Sequence, residues 1–290
     1  MANVHDYFIR YRKNIDISPS KKDRLKSAEQ AVRNQLEKYF LTQPDYNFHH
    51  FKLQGSKSMG TLIRKNESVD IDLGIYFYPK PKFQAKTLME HVYKALYGLR
   101  TQSPPTRKNK CIRAIYSDSL KIHIDVPIFY LEKISGDRNP HLATKDGWIR
   151  SNITEFEKWF TSKKKGNIQL SQIVRYLKDW GNNQTFEMPN GVVMTVLASN
   201  YQVKNQRDDI AFLETLKNIR EALIEDFSCK MPAVPYDDLL IDIAKSNSKR
   251  NDFFRVLNAI IEDGEVAVKV RSVETAVNIW KKHLGKNFNK

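Results

Sequence analysis

The residues of this chain best placed to do chemistry are two carboxylates at i, i+2 within Val69-Asp70-Ile71-Asp72-Leu73. In an extended strand such a pair points to one face, while Ile71, Leu73 and Ile75 point to the other, toward a core. A third acid, Asp125, interrupts a second apolar run, Ile122-His123-Ile124-Asp125-Val126. Adjacent carboxylates repel unless a cation lies between them. Hard divalent cations such as Mg²⁺ take oxygen ligands and commonly hold substrate phosphates as well. The pattern therefore reads as a divalent-metal site. The competing reading is that one acid is satisfied by a salt bridge in a basic protein.

These acids need strands to aim them and helices to cover the strands. Ser18-Pro19-Ser20 opens a helix running to about Phe40, with Leu25, Val32, Leu36 and Phe40 as its apolar stripe. Phe48 to Gln54 leads into Gly55-Ser56, Thr61 to Ser68 is a polar loop, and Val69 to Tyr78 is a strand ended by Pro79-Lys80-Pro81. A helix follows over about 85–99. Segments 108–116 and 120–131 then form a hairpin around Ser117-Asp118-Ser119, with His123 and Asp125 on one face. Residues 136–152 read as a turn-rich connection. Thr154-x-x-Glu157 has capping-box spacing and starts a helix. Beyond it the pattern is helical over about 168–180, 191–204, 208–227, 236–245, 250–262 and 266–284, with Gly181 as a C-cap. The expected division is an α+β domain over 1–165 and an all-helical domain over 166–290.

Composition bounds the function. The chain has 290 residues and 48 Lys+Arg against 33 Asp+Glu, a formal net charge of +15. Such a balance suits a polyanionic partner, nucleotide or nucleic acid, although clusters such as Lys163-Lys164-Lys165 also read as solvated surface. Two distant cysteines, Cys111 and Cys229, make neither a disulfide framework nor a zinc ribbon. His49-His50 is an unpromising metal pair, since neighbours in an extended chain point opposite ways. The absence of a membrane-length apolar run or a signal-peptide core points to the cytoplasm.

Gly55-Ser56, Asp70-x-Asp72 and a later strand-borne Asp125 together resemble the DNA polymerase β superfamily of nucleotidyltransferases. Four further stretches narrow the resemblance: Gln54 to Thr61, His141 to Asn152, Met188-Pro189-Asn190-Gly191 and Trp280 to Gly285. They are similar to the bacterial cGAS/DncV-like nucleotidyltransferases, or CD-NTases, of CBASS anti-phage systems. The resemblance implies an α+β fold, a polymerase-β-like core with a mixed sheet and flanking helices. It adds an all-helical, oligoadenylate-synthetase-like C-terminal lobe, with the active site in a cleft between the two.

It also implies roles. Asp70 and Asp72 would ligate two Mg²⁺ ions, for which Mn²⁺ could substitute, and Asp125 the ion that activates the attacking hydroxyl. Gly55 would let the backbone approach the phosphates and Ser56 would donate to them; the plain alternative is a tight turn. Lys178 would contact the triphosphate, and Asn190 stands where relatives usually carry a serine that touches phosphate. Gln54, Met59 and Tyr201 could meet bases or could be structural, and His123 could orient Asp125 or be a core histidine. The implied activity joins nucleoside triphosphates, ATP and/or GTP or others, into a cyclic di- or trinucleotide that activates a separate effector. A linear-oligonucleotide or RNA/tRNA-modifying nucleotidyltransferase, or a silent nucleic-acid-binding module, are the alternatives. An RNA or DNA activator, a monomeric state and no membrane association complete the expectation.

Overall fold

The computed structural model describes residues 1–64, 68–99, 101, 103–117, 121–134 and 139–289. Asp118 and Ser119 of the expected hairpin turn, Gly136 and part of the Thr61–Ser68 loop lie outside them. In chain order the elements begin α1 (His5–Asn14), α2 (Pro19–Leu41), β1 (Phe48–Gln54), α3 (Gly55–Met59), β2 (Val69–Phe77) and α4 (Ala85–Tyr97). Next come β3 (Thr106–Arg107), β4 (Ile112–Ser117), β5 (Ile122–Val126), β6 (Ile128–Tyr130), β7 (His141–Thr144) and β8 (Gly147–Arg150). Helices α5 (Ile153–Lys164), α6 (Ile168–Asn182), α7 (Gly191–Tyr201), α8 (Asp208–Glu225), α9 (Ile241–Ala244), α10 (Asn247–Lys269) and α11 (Val273–Leu284) complete the chain. Among the described residues, no helix is long and apolar enough to cross a membrane.

The chain forms two compact units. One comprises Ile17–Trp159 with Ala233–Pro235, and the other Met1–Asp16, Phe160–Pro232 and Tyr236–Lys290. The first is a mixed sheet in the order β3-β4-β5-β2-β6-β7-β8, with β1 antiparallel to β2. β2 runs parallel to β5 along its first half and parallel to β6 along its second. Alternation explains the core. Ile71, Leu73, Ile75 and Phe77 of β2, with Ile122, Ile124 and Val126 of β5, are buried in one cluster with Leu25, Val32 and Leu36 of α2 and Leu88 and Val92 of α4. The opposite face carries Asp70 and Asp72, and further along a smaller core of Tyr76, Phe129, Leu131 and Leu142.

The second unit is helical. Contrary to a division at residue 165, it takes in the N-terminal sixteen residues. The reason is aromatic: Phe8 and Tyr11 of α1 are buried against Tyr176 of α6 and Phe288, and Phe8 also meets Phe212 and Trp280. The Tyr11 hydroxyl donates to buried Asp179 at 2.7 Å.

Other boundaries moved for local reasons. The connection over 136–152 contains the β7–β8 hairpin, whose four-residue strands are too short to show alternation. The break expected near 263–265 does not occur. Gly264 is helical, and a Cβ there would lie 2.8 Å from Trp280 Cη2 and 2.9 Å from Leu213 Cδ1, so this glycine serves packing. The real break follows Lys269, and Ser272 caps α11 by accepting from Thr275 N–H at 3.2 Å. Gly181 lies within α6, which continues to Asn182 and is capped by Asn183. Asn152, not Thr154, caps α5, accepting from Glu155 N–H at 3.0 Å.

Candidate active site

Strand register assembles the site. Asp72 lies opposite Gln54 on β1 and Asp125 on β5, and Asp125 lies opposite Arg113 on β4. One row across four strands therefore reads Gln54, Asp72, Asp125, Arg113. In the row beside it Asp70 lies opposite His123. The apolar residues between these positions are held in the core, which fixes the acids to the other face. Asp70 is exposed rather than buried, with 46 % of its side chain accessible, whereas the Asp125 side chain is 16 % accessible.

Gly55, at the start of α3, presses on Asp72. Its φ of +67° is left-handed, and a Cβ would lie 3.1 Å from Asp72 Cγ and still closer to Oδ2. On its other side Gly55 N–H donates to Glu157 Oε1 at 3.1 Å, and the Ser58 hydroxyl donates to the same oxygen. Lys52 pairs with Glu157 Oε2 at 3.0 Å and donates to Thr154 Oγ1 at 2.6 Å. Thr154 and Glu157, expected to form a capping box, thus brace the Gly-Ser turn instead. Gln54 is 2 % exposed, and its amide donates to the Tyr76 hydroxyl across Gly74. Met59 is likewise buried.

The charges are arranged around Asp125. Arg113 Nε and Nη2 donate to its two oxygens at 2.7 and 2.8 Å, a bidentate pair, and Arg113 Nη2 stands 3.7 Å from Asp70 Oδ2. The hydrogen bonds to Asp125 hold the guanidinium well above the ordinary arginine value. Burial, with the nearby charges of Asp125 and Asp72, pushes the Cys111 thiol up to about 12, so it stays protonated. His123 Nδ1 lies 2.7 Å from Asp70 Oδ1, so His123 addresses Asp70 rather than Asp125. Asp125 thus has a salt-bridge partner on one flank, Arg113, and a second acid, Asp72, on the other.

The donor chemistry fits a hard divalent cation: three carboxylates on one face of two adjacent strands. Among the described residues, however, no three acidic, histidine or cysteine side chains form a ready cage for a metal ion. Arg113 and His123 take oxygens of Asp125 and Asp70. His49 and His50 also behave unexpectedly. A register shift in β1 brings their Nδ1 atoms to 2.5 Å, while the His50 ring stacks on Tyr76.

Comparison with known proteins shows what this chain is similar to. Residues 49–129 match the family model of the cyclic GMP-AMP synthase DncV-like nucleotidyltransferase domain. Residues 49–129 are thus similar to a DncV-like nucleotidyltransferase domain. The matched span contains the Gly-Ser turn, the three acids and Arg113, while Glu157 lies beyond it. The fold agrees. The Vibrio cholerae cyclic AMP-GMP synthase DncV is similar with a TM-score of 0.82 at 19 % identity, over 99 % of this chain and 98 % of that one. The Bradyrhizobium diazoefficiens CD-NTase CdnG, solved with GTP, gives 0.80 at 14 % identity, over 98 % and 96 %. Escherichia coli DncV with 3′-deoxy GTP gives 0.78 at 19 %, over 96 % and 94 %. At these identities the likeness is one of fold.

The remaining predicted contacts belong to the helical unit, outside the matched nucleotidyltransferase span. Lys178 on α6 lies beside Gly191, where a Cβ would be 3.6 Å from Nζ. Asn190 caps α7, its Oδ1 accepting from the amides of Val192 at 2.9 Å and Val193 at 3.1 Å. Tyr201 ends the same helix, roughly 16 Å from Asn190 at 1.5 Å per residue. Lys178 and Asn190 therefore share one end of α7, and Tyr201 stands at the other.

Sequence reasoning missed Arg113, Lys52 and Glu157. A hairpin turn centred on Asp118 would pair Asp125 with Cys111, whereas the observed partner is Arg113 and the register shifts between Ile115 and Ser117, so the hairpin was only an approximate signal. Glu157 and Lys52 had none, because α5 follows β1 by about a hundred residues.

Proposed function

We propose that this chain is a metal-dependent nucleotidyltransferase that joins nucleoside triphosphates into a cyclic di- or trinucleotide and releases pyrophosphate. The observation that carries the reading is the register of Asp72 against Asp125, with Gly55 pressed on Asp72. Asp70, Asp72 and Asp125 would hold two divalent ions, Mg²⁺ or in its place Mn²⁺. Such an ion pair supplies positive charge to the attacking and leaving oxygens of an in-line displacement. A sugar hydroxyl forms the new bond to the α-phosphorus, the bond to the β-phosphate oxygen breaks, and pyrophosphate carries away the electron pair. Gly55 lets the main chain approach the triphosphate, and Ser56 donates its hydroxyl and amide to the terminal phosphates. Glu157 and Lys52 keep that turn in place. Lys178, Asn190 and, at the base, Tyr201 are further proposed nucleotide contacts.

Two observations support cyclisation over other acceptors. The matched family is that of a cyclic GMP-AMP synthase, and one similar Vibrio cholerae DncV structure holds the linear intermediate pppA(3′,5′)pG. ATP and GTP are therefore the first substrates to try. We further propose a cytoplasmic role in anti-phage signalling through a separate effector, as the resemblance to CD-NTases implies. The net charge of +15 is compatible with a nucleic-acid activator and equally with attraction of nucleotide alone. The test is incubation with all four ribonucleoside triphosphates and Mg²⁺ or Mn²⁺, followed by phosphatase and mass spectrometry. A phosphatase-resistant small product that D72N does not make supports the reading. Linear products or labelled RNA move the assignment to the alternative acceptors, and no nucleotide consumption refutes it.

A further inference from the structure

The carboxylate edge contains one group that a metal site does not call for. Arg113 binds both oxygens of Asp125 and reaches toward Asp70, with 22 % of its side chain accessible. The sheet order β4-β5-β2 sets Arg113 and Asp72 on opposite flanks of Asp125. Asp125 is therefore held between a guanidinium and a second carboxylate. Three acids so close would repel one another without a cation, and a guanidinium remains charged at every working pH. Its fork matches the carboxylate geometry in a way that a lysine's point charge does not.

We propose that Arg113 is a built-in counter-ion of this site. It holds Asp125 and Asp70 in place while no divalent cation is bound, and an incoming cation must share Asp125 with it or take the carboxylate over. The inference rests on the reading of the three acids as metal ligands. It has a definite sign. Arg113 opposes the incoming cation by charge and by competition, so removing it strengthens metal binding and weakens the metal-free protein.

The test is Mn²⁺ titration followed by electron paramagnetic resonance of the free ion, with melting curves in its presence and absence. R113Q should bind Mn²⁺ about tenfold tighter than wild type, melt lower without metal and gain more from metal. R113K keeps the charge but loses the fork, and should bind about threefold tighter than wild type. It carries the test if R113Q does not fold. Unchanged or weaker Mn²⁺ affinity in the folded variant overturns the proposal. D72N separates the two levels of argument. If wild type binds Mn²⁺ and D72N does not, a failure of the arginine variants falls on Arg113 alone. If D72N binds like wild type, or wild type does not bind, the metal reading itself fails and the proposal with it.

Discussion

Replacing Gly55 by alanine tests the turn and the acid together. At φ +67° an alanine costs roughly 1–2 kcal/mol of backbone strain. At about 2–4 °C per kcal/mol, that strain lowers Tm by roughly 2–8 °C. The added Cβ also sits 3.1 Å from Asp72 Cγ and closer still to Oδ2, so either the carboxylate rotates away or the turn lifts. A displacement of about 1 Å at a reacting centre costs on the order of 10²-fold in rate. Gly166 provides the control: its φ is also +67°, but a Cβ there meets nothing within 4 Å. G166A should therefore show the melting loss and keep its turnover. G55A should melt at least as low and turn over nucleoside triphosphate about a hundredfold more slowly. Turnover of G55A within threefold of G166A would refute the claim that Gly55 is needed for the placement of Asp72.

Three further outcomes follow from contacts that do not involve Asp70, Asp72 or Asp125. Burial raises the Glu29 carboxyl, but hydrogen bonds from Lys57 and Arg33 outweigh it and hold the group below its ordinary 4.5. The resulting stability is present above pH 4.5 and is lost as pH falls through the folded value, so the Tm gap between wild type and E29Q should close in acid; a constant gap contradicts this. Q54M leaves the buried Tyr76 hydroxyl without its donor and should cost about 1–3 kcal/mol with an unchanged nucleotide KM; a raised KM with unchanged Tm would make Gln54 a substrate contact. F8A removes a buried ring from the aromatic cluster of the helical unit and should cost about 3–5 kcal/mol in denaturant unfolding, whereas a peripheral N-terminal helix would lose almost nothing.

The sequence by itself determined the acid-bearing strands and the faces they present. Alternation around Ile71, Leu73 and Ile124 leaves Asp70, Asp72 and Asp125 only one side to occupy, whatever packs around them. It also determined the long helix after Ser18, because the cap and the apolar stripe are both local. Only the tertiary structure decided what those acids touch. Arg113 reaches Asp125 through the β4–β5 register, which shifts between Ile115 and Ser117, and such a slip changes every partner. Glu157 reaches Gly55 from a helix about a hundred residues later, a pairing that no local pattern encodes. The helix expected to end near 262 runs on through Gly264, a packing gap filled by Trp280, which only folding brings there. Residues 1–16 likewise join the helical unit through aromatic contacts made with distant helices. Periodicity fixes the direction in which a side chain points; what waits there depends on elements far away in the chain.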